Sequence, residues 1–139
     1  MVEGFRTFDH TGDLGLEVWA DSPERLYALA AEAVMAQIAE TDAAEAEARR
    51  DLVLGGDGPA DLLVHLLNTA LLEGELHRAV WTRVVVRDLT PTGLRATLEG
   101  QRLDRKRQVF LREIKAVSHH FLKLDLDVRP CRCRLILDL

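Results

Sequence analysis

Cysteine is scarce in this chain, which has only Cys131 and Cys133 among its 139 residues. Residues at i and i+2 of a strand share a face, but that spacing rarely suits a disulfide. A structural zinc site needs about four ligands, and Cys-x-Cys is not a usual zinc-ligand spacing. A disulfide framework and a cysteine-bound zinc are therefore disfavoured, and we expect two free thiols in a reducing compartment.

Excess positive charge and aromatic side chains are also lacking. The formal net charge is −5, and aromatic residues make up 5% of the chain. Nucleic-acid-binding proteins usually present a basic field, and single-strand binders add aromatic rings on which bases stack. We therefore do not expect DNA as a partner. A local basic run at 102–107, with four positive charges and one negative, keeps an RNA-binding module open as an alternative.

No apolar run is long enough to span a membrane, and no charged start precedes an apolar segment. A composition of 47% hydrophobic and 29% charged residues is typical of a soluble globular protein. We expect a single domain over residues 1–139, located in the cytoplasm and without a membrane partner.

Sequence motifs for nucleotide binding and for nucleophilic catalysis are absent. The glycine cluster at 55–58 is not followed by Gly-Lys-Ser/Thr, so it is read as a turn. No Ser/His/Asp or Cys/His arrangement is visible, and no nucleophile lies in an elbow-like context. The residues therefore predict no catalytic group.

Two amphipathic helices are predicted. Ser22 and Pro23 favour a helix start, followed by an apolar stripe. The stripe consists of Leu26, Leu29, Ala30, Ala33, Val34 and Ile38. A second helix opens at Pro59, carries a leucine-rich stripe and is expected to end near Gly74, with His65 and Asn68 facing solvent or the helix edge.

Period-two patterns predict the strands. They occur at 14–19, 51–54, 80–88, 94–103, 113–128 and 131–139, with a hairpin turn at 91–93. The predicted fold is α+β, with a mostly antiparallel sheet of six to seven strands packed with the two helices.

Three features carry possible chemistry. The first is the turn with Asp9, His10, Thr11 and Asp13, the second is Lys115, and the third is Asp138 beside the carboxylate of Leu139. Oxygen ligands from separate segments suit a hard divalent cation. The simpler alternatives remain open: Asp13 would cap turn N–H groups, Asp138 would be solvated, and Lys115 would extend along the sheet face to solvent.

The chain resembles the archease family in four segments that follow the family's order and approximate spacing. They are Phe8-Asp9-His10-Thr11-Gly12-Asp13-Leu14-Gly15, Asp61-Leu62-Leu63-Val64-His65-Leu66-Leu67-Asn68, Ile114-Lys115-Ala116-Val117-Ser118-His119-His120 and Leu135-Ile136-Leu137-Asp138-Leu139. The first and third are the specific ones. Two departures are Gly12, where alanine or serine is usual, and Ser118-His119, which replaces a common Thr-Tyr.

The resemblance implies a protein that is not itself an enzyme. Archeases assist the RtcB-type RNA ligase in tRNA splicing and RNA repair, by promoting guanylylation of the ligase with GTP and allowing multiple turnover. A divalent cation (Ca²⁺, or Mg²⁺ or Mn²⁺) would be bound by Asp13, Asp138 and Leu139, with His10 and Lys115 as further functional residues. Contact with RNA would occur only through the ligase. The alternatives are a small metal-dependent phosphoesterase and an RNA-binding chaperone.

Overall fold

The computed structural model describes residues 2–42 and 44–139. This part of the chain forms two helices and nine strands. In chain order they are β1 (Gly4–His10), β2 (Asp13–Ala20), α1 (Pro23–Ala36), β3 (Ala39–Glu40), β4 (Ala48–Gly55), α2 (Pro59–His77), β5 (Ala79–Thr90), β6 (Gly93–Arg102), β7 (Val109–Phe110), β8 (Ala116–Asp125) and β9 (Cys131–Asp138).

All strand pairs described are antiparallel. One sheet has the order β1-β2-β9-β8, a second has the order β4-β6-β5, and β3 pairs with β7. The predicted α+β class with two helices and a mostly antiparallel sheet is confirmed. The count of seven longer strands falls within the predicted six to seven, but β1 was not among the predicted segments, and Asp9 and His10 belong to it and not to a turn. Strands β3 and β7 have two residues each and are too short to show a period.

Helix α1 starts as predicted, because the Ser22 hydroxyl accepts the backbone N–H of Arg25 at 3.2 Å. The predicted apolar stripe was incomplete. Tyr27, Ala28 and Ala31 are also buried, since α1 packs against β5, β2 and α2 at once. A helix covered on most sides needs apolar residues nearly all round.

Helix α2 runs to His77, so the predicted end near Gly74 was wrong. Gly74 lies inside the helix. A glycine is needed at this position because β5 approaches closely, and a Cβ there would lie 2.9 Å from the carbonyl oxygen of Ala79. The left-handed residue that closes the helix is Arg78, with φ 48°. A glycine in a helical pattern here marks a close approach and not a cap.

Strand β8 departs from the predicted alternation over 113–128. It begins at Ala116, and its pairing with β9 shifts between Ser118 and Lys123. Residues 119–122 form a bulge, hereafter the β8 bulge, in which Phe121 has a positive φ of 58°. The bulge moves these side chains away from the positions that a regular strand would assign to them.

The two cysteines are free and buried on β9, as predicted. Burial raises the pKa of the Cys133 thiol to about 12, so this group stays protonated near neutral pH. Within the described ranges, neither helix combines the length and apolar character needed to cross a membrane.

Candidate metal site at one end of the four-stranded sheet

The β1–β2 hairpin brings His10 and Asp13 together. They form the last pair of the ladder and are joined by a turn of two residues, Thr11 and Gly12. Gly12, the second central residue of the turn, has φ 75°, a conformation that glycine adopts without steric cost. His10 Nδ1 lies 3.8 Å from Asp13 Oδ2, and this buried nitrogen has no hydrogen-bond partner among the residues that the structure describes.

Asp13 and Asp138 lie at the same end of the sheet on neighbouring strands. Leu14 of β2 pairs with Leu137 of β9, so the antiparallel register continues to Asp13 and Asp138 at the strand ends. Residues opposite each other share a face of the sheet and have Cβ atoms about 5 Å apart. The fold therefore places two aspartates that are 125 positions apart in sequence at the same ends of two paired strands.

The main chain of Lys115 lies beside the same sheet end. Its N–H donates to the carbonyl of Asp138 at 2.8 Å, and Ala116 pairs with Asp138. The side chain of Lys115 is exposed and lines a neighbouring groove with Asn68 and Leu71. Lys115 is thus close to Asp138 through its backbone, while its ammonium is available to solvent or a partner.

The side chain of Asn68 holds the start of β8 against α2. This role was not predicted from the sequence. Asn68 Oδ1 accepts the Val117 N–H at 2.7 Å, and its Nδ2 donates to the Val117 carbonyl at 3.0 Å. The only signal was a single amide beside the apolar stripe of α2. His65, also placed off that stripe, is exposed, with Nδ1 at 2.7 Å from the Gly55 carbonyl oxygen.

The β8 bulge connects the site to α2. His119 Nε2 lies 3.3 Å from Asp61 Oδ1, at the start of that helix. The pKa of Asp61 is lowered, chiefly because its carboxylate accepts the Asp57 N–H and then because His119 is nearby. His119 therefore contacts the N-terminal end of α2.

The other side chains of the bulge face a different neighbour. The centroid of the Phe121 ring lies 5.5 Å from that of the His10 ring, and the His120 ring is tilted against Phe121 with the centroids 3.9 Å apart. His119 and His120 thus contact different groups.

The donors at this sheet end suit a hard cation better than a transition metal. Among residues 2–42 and 44–139, no group of three or more His, Cys, Asp or Glu side chains has a metal-binding arrangement. Two carboxylates remain, Asp13 and Asp138, with the main-chain oxygen of Leu139 following directly. Oxygen donors supplemented by water are what Mg²⁺ and Ca²⁺ prefer, so the residues present fit such an ion.

The basic run at 102–107 is partly neutralised within the fold. Arg107 pairs with Asp42 at 3.0 Å and also with Glu47. The pKa of each carboxyl is lowered, first by its hydrogen bond to Arg107. The run therefore offers less free positive charge to RNA than its sequence suggested.

The fold and site define a small α+β protein with its polar site at the exposed end of an antiparallel sheet. A model of the Archease protein family matches residues 5–139, and the chain belongs to this family. It is 30% identical to "Protein archease" of Methanopyrus kandleri over 122 residues, covering 86% of this chain and 87% of that protein. It is 26% identical to "Protein archease" of Pyrococcus abyssi over 121 residues, covering 85% of each.

The fold is also similar to a solved structure. The solution structure of Methanobacterium thermoautotrophicum protein 1598 superposes with a TM-score of 0.78 at 25% identity. The match covers 98% of this chain and 99% of that one. The arrangement of helices and sheets is therefore shared over the whole length.

Proposed function

We propose that the protein is a non-catalytic activator of an RtcB-type RNA ligase in tRNA splicing and RNA repair. It would promote guanylylation of the ligase with GTP and permit multiple turnover. The observation that supports this proposal most directly is the position of Asp13 and Asp138 at the ends of paired strands in a member of the archease family.

Asp13, Asp138 and the main-chain oxygen of Leu139 would hold a divalent cation, Ca²⁺ or Mg²⁺ or Mn²⁺. When bound, such an ion supplies positive charge that stabilises phosphate oxygens. The two carboxylates supply the negative charge that attracts the ion, and the short Thr11-Gly12 turn keeps Asp13 close to the end of the sheet.

The surroundings of the two aspartates suit contact with a partner. Thr11 and Gly12 are exposed at the tip of a narrow hairpin, a shape that can enter a cleft. Lys115, whose backbone N–H donates to the Asp138 carbonyl, has an exposed side chain, and a lysine ammonium binds a carboxylate or a phosphate as a point charge. His10 lies beside Asp13, with its Nδ1 3.8 Å from that carboxylate, and would act next to it at the same site.

A reconstituted ligation reaction tests the proposal. Purified RtcB-type ligase is incubated with GTP, divalent metal and RNA ends, with and without this protein, and the ligated products per ligase molecule are counted. We expect multiple turnover only when the protein is present. Equal turnover in both reactions would contradict the proposal.

The same preparation without ligase tests the enzymatic alternative. The protein is incubated with nucleotides and Mg²⁺ or Mn²⁺, and released phosphate is measured. We expect no release above the protein-free control. Release that scales with protein concentration would instead favour a metal-dependent phosphoesterase.

A further inference from the structure

The four-stranded sheet has one face toward the helices and one face, hereafter the outer face, away from them. Leu16, Val18 and Leu135 lie on the helix side and are buried. Residues of the opposite parity lie on the outer face. The strand registers align two rows across it, namely Arg6, Glu17, Arg134 and Lys123, and then Gly4, Trp19, Arg132 and Asp125.

These rows carry an excess of positive charge in an acidic protein. They contain four cations and two carboxylates, whereas the whole chain has a net charge of −5. Arg6 is paired with Glu17 at 2.7 Å, and Arg134 lies 3.7 Å from the same carboxylate. Within the described part of the chain, neither Arg132 nor Lys123 has a carboxylate at ion-pair distance, and both are exposed.

An aromatic ring lies among these cations. The indole of Trp19 covers Gly4 on the adjacent strand, where an added Cβ would lie 2.9 Å from the ring. Trp19 also lines an open cavity of about 640 Å³, whose charged lining residues are Arg6, Lys123, Arg132 and Arg134 with Glu17 and Asp125. That volume is within the range of small-ligand sites, which are about 300–1,000 Å³.

We propose that this cavity binds a single-stranded RNA segment. One base would stack on Trp19, and the flanking phosphates would be bound by Arg132 and Lys123. Bases stack on aromatic side chains while cationic grooves follow the backbone, and this cavity combines both features. An acidic protein partner would use the cations, but it would gain nothing specific from the indole.

This cavity is distinct from the basic run at 102–107. It would give RNA a direct contact with the protein that does not require a ligase. The choice of RNA over DNA rests on the proposed function. The proposed contacts with a base and with phosphates rest only on Trp19, Arg132 and Lys123. Asp13 lies on the same face as Glu17. The two residues are four positions apart on β2, a distance of about 13 Å along the strand. RNA bound at Trp19 would therefore extend over the same sheet face as the candidate metal site.

The test is direct binding of a labelled eight-nucleotide RNA to the isolated full-length protein, by fluorescence anisotropy at several salt concentrations. We expect Arg132→Gln and Lys123→Gln each to reduce the salt slope of log K by about 0.7, since each removes one phosphate contact. Trp19→Leu should weaken binding by about 10-fold through lost stacking. Arg95→Gln on β6 is the matched control, because it removes one exposed arginine from the other sheet.

Intrinsic fluorescence supplies a second readout in the wild-type protein. Trp81 is buried and donates Nε1–H to the Ala70 carbonyl, so quenching by RNA would report Trp19. Arg132→Gln and Lys123→Gln change exposed side chains, so we expect both variants to fold. They keep the test valid if Trp19→Leu unfolds the protein. The proposal is overturned if RNA does not bind, if both glutamine variants bind like wild type, or if an oligoglutamate peptide binds in place of RNA. None of these results would affect the ligase proposal.

Discussion

The side-chain amide of Asn68 bonds to both backbone groups of Val117, at 2.7 Å and 3.0 Å. This pair of hydrogen bonds joins α2 to the start of β8. Ala116, one residue earlier, pairs with Asp138, and Lys115 donates to the Asp138 carbonyl. Asn68 therefore helps to position the sheet end that carries the candidate metal site, without being part of it.

We predict that Asn68→Ala lowers the free energy of unfolding by about 2 kcal/mol, because two partly buried backbone groups lose their partner. Urea denaturation followed by circular dichroism measures the change. Glu75→Ala, at an exposed position of the same helix, is the control and should stay within about 0.5 kcal/mol of wild type. An Asn68→Ala variant as stable as this control would show that the amide is dispensable.

Gly15 leaves space for the ring of Phe8, which lies beneath the guanidinium of Arg134 at 4.2 Å. A Cβ on Gly15 would lie 2.2 Å from the Phe8 ring. We predict that Gly15→Ala destabilises the protein by about 1–3 kcal/mol through overpacking. Thermal unfolding would measure this.

Gly55→Ala is the matched substitution for that test. A Cβ on Gly55 would have the Thr92 carbonyl oxygen at 3.6 Å as its nearest neighbour, an ordinary contact. If the two alanine variants lost the same stability, crowding by Phe8 would not be the cause.

The carboxylate of Asp61 should make the free energy of unfolding depend on pH in the acid range. Its pKa is lowered in the folded state, first by the hydrogen bond from the Asp57 N–H. The ionised group then stabilises the fold above its unfolded pKa of about 3.9, and this contribution is lost as pH falls through the lower folded pKa. We predict that wild type exceeds Asp61→Asn in stability near pH 7 and that the difference shrinks on acidification.

Urea midpoints of both proteins across the acid range would measure that difference. Asp88→Asn controls for the loss of one exposed negative charge, at a residue whose φ of 53° asparagine tolerates. A gap between wild type and Asp61→Asn that stayed constant or widened on acidification would contradict the assignment.

Local sequence signals predicted most of the architecture. The cap at Ser22 and the apolar stripes located both helices, and period-two patterns located six of the seven longer strands, with β1 missed. The β8 bulge was not predictable, because extra residues in a strand leave no mark in a period-two pattern. The predicted end of α2 near Gly74 was wrong, because this glycine makes room for β5 and does not end the helix.

The candidate site was predictable only in part. Residue types suggested oxygen ligands at Asp13 and Asp138, but only the family resemblance joined them. Their proximity depends on the register between β2 and β9, which lie at opposite ends of the sequence. The cavity at Trp19 depends on the registers of all four strands of that sheet, so composition alone did not reveal it.

Ligase turnover with altered strand-end carboxylates tests the central claim most directly. Asp13→Asn and Asp138→Asn keep the shape of each side chain but remove the charge that a divalent cation needs, and Asp88→Asn serves as the distant control. Ligated products per RtcB-type ligase would be counted with each variant in place of wild type. The account predicts at least about a 10-fold loss of stimulation for each strand-end variant, equivalent to about 1.4 kcal/mol, and none for the control. Stimulation by both variants equal to wild type would contradict it.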